Sequence, residues 1–148
     1  MKRLLYITLL IAGMLSAIGC EEKQNFGILP EKMAGQWVLT TVDSTPAGDR
    51  IVYVDIQENG SFSLYQKIWT SNYQKFTGSV ELVGASGVRF IYSNGEASEY
   101  KTMTLENEKM TLVKESGETN VYNTTKIPQE VIQIAVPVTK ATEALPFL

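Results

Sequence analysis

The chain has 148 residues, enough for one domain. Hydrophobic residues make up 44% and charged residues 20%, near globular averages, which excludes wholesale disorder and a fibrous repeat. Lys and Arg total 13 against 16 Asp and Glu, and loss of Lys2 and Arg3 with a cleaved leader leaves 11 against 16, a net charge of −5. A nucleic-acid binder would need a basic face, so no nucleic-acid partner is expected. There is no histidine, and Cys20 is the only cysteine. The usual zinc ligands, histidine bases and Cys–His nucleophile pairs are therefore absent, and neither a metal nor a cofactor is expected.

Met1-Lys2-Arg3 is a short basic start, Leu4 to Ile18 is almost entirely apolar, and Ala17-Ile18-Gly19 supplies small residues before a cleavage point. Residues 1–19 thus read as an export signal. The apolar run is about 15 residues, short of the ~20 that a membrane-spanning helix needs. Ser16-Ala17-Ile18-Gly19-Cys20 resembles a bacterial lipobox, with Ala17 where leucine is commonest. That resemblance implies lipidation of Cys20, which becomes the mature N-terminus, and a location on the outer membrane of the cell envelope. Two or three acyl chains, at ~0.8 kcal/mol per buried CH₂, anchor a protein durably. Residues 20–30 then form a polar tether; its ten residues from Glu21 to Pro30 reach at most ~33 Å at ~3.3 Å each. Glu21-Glu22-Lys23 also resembles the short charged export signal of surface-exposed lipoproteins of the Bacteroidota.

From Gly35 onward, apolar and polar residues alternate with period two between turn signals, which predicts half-buried antiparallel strands. Eight are expected: 36–43, 51–57, 61–68, 73–83, 88–93, 98–105, 109–114 and 119–126. Asn59-Gly60 and Asn94-Gly95 carry the pair that tolerates the positive φ of tight hairpins. Eight short strands joined by short turns make a meander, and closure into an up-and-down barrel removes its exposed edges. A two-sheet β-sandwich is the alternative, disfavoured because Greek-key crossovers need longer connections.

Met33-Ala34-Gly35-Gln36-Trp37-Val38-Leu39 resembles the Gly-x-Trp opening of lipocalin-like domains. Together with the leader, the lipobox and the strands, the layout over residues 31–126 is similar to small lipocalin-like lipoproteins of the Bacteroidota. The resemblance implies an eight-stranded barrel with Trp37 at its closed end. Successive connections then alternate between the ends, and 44–50, 69–72, 94–97 and 115–118 fall at the open one. The longest, Ser44 to Arg50, stands where the lipocalin pattern places a lid.

Alternation assigns Val52, Val54, Ile56, Phe62, Leu64, Ile68, Phe76, Gly78, Val80 and Leu82 to the interior, joined by Phe90, Tyr92, Met110 and Leu112. The sixth strand, with Tyr100 against Met103 and Leu105, declares no face. Such an interior suits a small apolar ligand, unless its own side chains fill it, as eight strands permit. A ligand entering the open end would meet Trp69 and Tyr73 at the rim and Phe62, Phe76 and Phe90 deeper inside. Aromatic pairing across the third hairpin is the simpler reading of Tyr65, Trp69 and Tyr73.

Catalytic readings find little support. Glu96 with Glu99 and Glu106 with Glu108 lie in or beside turns, where carboxylates are solvated, and Ser86 has no histidine to activate it. Asp43-Ser44-Thr45 resembles the short O-glycosylation motif of Bacteroidota exported proteins, although a simple turn accounts for it. Residues 127–148 are expected to lie across the barrel, covering one end or contacting a partner. The leading expectation is a non-enzymatic lipoprotein that binds a small apolar or amphipathic molecule. The alternative is a structural or accessory subunit of an envelope complex, with a carboxylate hydrolase a distant third.

Overall fold

The computed structural model describes residues 29–140 and 144–148; the leader, Cys20 and the tether as far as residue 28 lie outside the described residues. The elements in chain order are a 3₁₀ turn (Glu31–Met33), β1 (Gly35–Val42), β2 (Thr45–Pro46), β3 (Ile51–Ile56), β4 (Ser61–Lys67), β5 (Gln74–Val83), β6 (Gly87–Tyr92), β7 (Ala97–Tyr100), β8 (Thr102–Glu106), β9 (Lys109–Val113), β10 (Thr119–Thr124), α1 (Gln129–Ile134) and β11 (Val136–Pro137). The ladder order is β7-β6-β5-β4-β3-β1-β10-β9-β8. Because β10 pairs with β1, and β7 and β8 adjoin along the chain, the sheet is an eight-stranded up-and-down antiparallel barrel.

The sixth expected strand is two strands. Ser98 and Tyr100 lie opposite Phe90 and Val88, whereas Met103 and Leu105 lie opposite Leu112 and Met110. All four therefore belong to the inner face, and the two residues between Tyr100 and Met103 form a bend that shifts parity by one. This bend explains why the strand declares no face in sequence. It also closes the barrel, since Met103 N–H donates to the Ser86 carbonyl at 2.7 Å across the seam. A similar irregularity falls at Thr40 in β1, between Leu39 opposite Tyr122 and Thr41 opposite Val121.

At the base, Gly35 adopts φ +144°, which turns the chain from the 3₁₀ turn into β1. Trp37 is buried there, and its indole N–H donates to the Met33 carbonyl at 3.0 Å. Inside the barrel, Phe62 meets Phe90 and Tyr92 edge to face, each at 5.3 Å between ring centres, and Phe76 and Tyr100 extend the chain of rings. Gly78 makes room for it, because a Cβ there would stand 2.0 Å from the Ile91 carbonyl oxygen and 2.8 Å from the Phe62 ring.

Beyond β10 the chain covers the outer wall. Tyr65 points outward yet is buried, because Ile127 and Val131 lie over it with Tyr53, Tyr73 and Ile132 around them. The first residues of β5 extend past the end of β6. Val136 and Val138 donate to the Tyr73 and Lys75 carbonyls there, adding β11 as a parallel strand. A free sheet edge is thereby satisfied.

Candidate ligand-binding mouth

The end opposite Trp37 receives the turns that follow β1, β4, β6 and β9. Its longest connection folds back on β1. Asp43 and Ser44 both take positive φ, β2 pairs with Thr41 and Val42, and Ala47 is buried against the core after its N–H donates to the Thr40 carbonyl. Thr119 N–H donates to the Asp43 carboxylate at 2.8 Å and ties this lid to β10.

Residues 144–148 fill the rest of the mouth. Gln66, fully buried on the inner face of β4, clasps this segment by its main chain: Nε2 donates to the Leu145 carbonyl at 2.9 Å, and Oε1 accepts from Phe147 N–H at 2.8 Å. Deeper in, Leu148 is 1% exposed and joins the core, while its main-chain oxygen accepts from the hydroxyls of Tyr92 and Ser98. Main-chain groups taken out of water must find partners, and these three side chains supply them.

Below this contact lie further polar groups. Asn120 and Tyr122 project from the inner face of β10, opposite Leu112 and Met110. Asn120 Nδ2 donates to the Tyr100 hydroxyl at 3.4 Å, but Asn120 Oδ1 and the Tyr122 hydroxyl have no hydrogen-bond partner among the described residues. Burial pushes all three phenols, Tyr92, Tyr100 and Tyr122, well above the usual tyrosine range, with neighbouring phenols adding to it for Tyr92 and Tyr122. They stay neutral and remain hydrogen-bond donors.

Of the residues named from the sequence, Phe62, Phe76 and Phe90 are buried together inside the barrel. Tyr73 instead packs on the outer wall beside Tyr53 and Tyr65, and Trp69, 74% exposed, stands at the rim. The rim and interior groups thus do not converge on one surface. Cys20 lies outside the described residues. Gln66, Asn120 and Tyr122 are polar side chains at inward positions within reach of strand parity, whereas Ser98 lies in the strand that declares no face in sequence.

A second hollow lies at the base. It has a volume of about 550 Å³, and Leu82, Met103 and Leu105 line it beneath Pro30, Glu31 and Lys32. An adjoining groove of about 400 Å³ reaches Trp37 through Leu105 and Lys32. Among the described residues no group of three metal-ligating side chains occurs, and no helix is long and apolar enough to cross a membrane.

No family model matches the sequence, and no curated protein is detectably similar to it. Among solved structures, the fold resembles a lipocalin-like protein from Bacteroides uniformis, with 19% identity and a TM-score of 0.52. The match covers 64% of this chain and 99% of that one. At this identity the likeness is one of fold, and the barrel is lipocalin-like.

Proposed function

We propose that this lipocalin-like barrel is a non-enzymatic binding protein for a small apolar or amphipathic molecule, held at the outer membrane by lipid on Cys20. The observation that carries the binding reading is the mouth. There a mostly apolar interior offers a few convergent polar groups, Gln66, Tyr92 and Ser98, to a segment that is not part of the barrel. An apolar site with a few placed polar groups is the usual form of a small-molecule site. Two further groups, Asn120 Oδ1 and the Tyr122 hydroxyl, hold unused hydrogen-bonding capacity beneath it. The lipobox, lone cysteine and polar tether support the anchor.

Mass spectrometry of small molecules carried through native purification tests the reading. A stoichiometric lipid or other amphipathic molecule is expected. A protein that emerges empty and takes up none from an envelope lipid extract would refute it. A second reading, an accessory subunit of an envelope complex, is favoured by the exposure of Trp69, Ile134, Val136 and Leu145, all on the mouth side or the outer wall. In that case cross-linking in cells would capture a protein at these positions, and the purified barrel would carry no ligand.

A further inference from the structure

We propose that residues 144–148 are an internal occupant of the barrel mouth, which a molecule with a short apolar chain and an acceptor oxygen displaces. The inference rests on the reading of the mouth as a ligand site, and goes on to name the class of ligand and the competitor built into the chain.

The segment is held as a ligand is held. It contributes no strand to the barrel; Leu148 is buried in the core, Ala144 and Phe147 pack against it, and side chains of the inner wall hydrogen-bond to the segment's main chain. Leu145 is 66% exposed even though its carbonyl is clasped by Gln66, so this side chain adds little to the hold on the segment. Release would free the Gln66 carboxamide and the hydroxyls of Tyr92 and Ser98. It would also open the way to Asn120 Oδ1 and the Tyr122 hydroxyl, buried groups that the occupant leaves unsatisfied. An unsatisfied buried group is costly, so a ligand that reaches it gains an advantage the segment lacks.

Size follows from what leaves. Departure of Leu148 and Phe147 vacates room for an isobutyl group and a ring, which matches a chain of about eight to ten carbons rather than a long acyl tail. The groups that meet the Leu148 oxygen are neutral hydroxyls, and no lysine or arginine is buried among the described residues. Lys114, which lies over the Tyr100 ring, is tied to Glu118 at 2.7 Å. An ester, amide or carboxylate oxygen would replace the Leu148 oxygen on these two hydroxyls. Hydroxyls on the head group would serve Tyr122 and Asn120.

The test uses 1-monooctanoylglycerol and octanoate as probes, on the full chain and on two variants that loosen the segment without altering the barrel wall. Leu148→Ala removes the apolar anchor, and Phe147→Pro removes the N–H that Gln66 accepts. Hydrogen exchange of residues 144–148 is followed alongside the titration. The ester is expected to bind the full chain, to speed exchange of this segment, and to bind both variants at least fivefold more tightly, because the competent state is already populated. Equal affinity for the full chain and both variants, with unchanged exchange of the segment, would overturn displacement and leave ligand binding standing. Failure of either compound to bind any of the three proteins, with the purified protein carrying no other small molecule, would overturn the ligand reading itself.

Discussion

The Gln66 carboxamide and the Phe147 N–H lie 2.8 Å apart, joining the inner wall of β4 to a segment 81 residues later in the chain. The other half of the same side chain reaches the Leu145 carbonyl, so one residue fixes the segment in both directions.

Gln66→Leu keeps the volume roughly but loses both bonds to the segment, and a third to the Gln74 side chain, and leaves two main-chain groups unpaired. A stability loss of about 1–3 kcal/mol is expected, with fast hydrogen exchange confined to residues 144–148. Chemical denaturation with residue-resolved exchange checks it, and a loss spread over the barrel strands would mean that Gln66 supports the wall instead.

Gly78→Ala should fail more severely. The added methyl would stand 2.0 Å from the Ile91 carbonyl oxygen and 2.8 Å from the Phe62 ring, so the backbone pairing of β5 with β6 must shift. Overpacking of this kind costs about 1–3 kcal/mol or more. A thermal midpoint within a degree or two of the parent would contradict the close approach.

Stability should fall steeply in alkali. Burial raises the folded-state pKa of Tyr92, Tyr100 and Tyr122 above the ordinary 10.0, so above that pH the unfolded chain loses protons that the folded chain keeps. Their contribution is therefore complete below pH 10 and declines as pH rises, by about 1.4 kcal/mol per pH unit for each phenol. Tyr122→Phe should flatten the decline by one phenol's share. At neutral pH it removes a buried hydroxyl that has no hydrogen-bond partner among the described residues, and should raise stability by up to about 1 kcal/mol. Denaturant melts from pH 8 to 12 measure both effects.

Cys20→Ala should move the protein from the membrane fraction to the periplasm or medium, because the lipobox resemblance makes this thiol the lipid attachment point. Retention in the membrane fraction after the change would show that something else holds it there.

The barrel was legible in sequence because a strand with one buried face writes its orientation in alternating residues. Val52, Val54 and Ile56 in β3 are the clearest case, each buried while its neighbours are partly exposed. Where a bend breaks the period, as between Tyr100 and Met103, the same rule loses its frame, and the split of the sixth strand could not be read. The mouth was harder for another reason. Its occupant is held through main-chain groups of Leu145, Phe147 and Leu148, which any residues would offer, so no side-chain pattern in residues 127–148 announces where they dock. Tyr65 shows the converse limit: it has outward parity but is buried, because α1 lies over it.

The two tryptophans stand at opposite ends of the barrel, and they decide most directly whether the mouth is the ligand site. Trp69 is 74% exposed at the rim, while Trp37 is buried at the base beside the groove reached through Leu105 and Lys32. Trp37→Phe, which loses the bond to the Met33 carbonyl, should cost about 1–3 kcal/mol of stability yet keep the ligand-induced change in emission. Trp69→Phe should keep stability and abolish most of that change. Titration of both variants with the molecule recovered from native purification, or with 1-monooctanoylglycerol, reads the result. A response lost with Trp69 is the outcome predicted for a ligand at the mouth; a response lost with Trp37 instead would place the ligand in the base groove and contradict it.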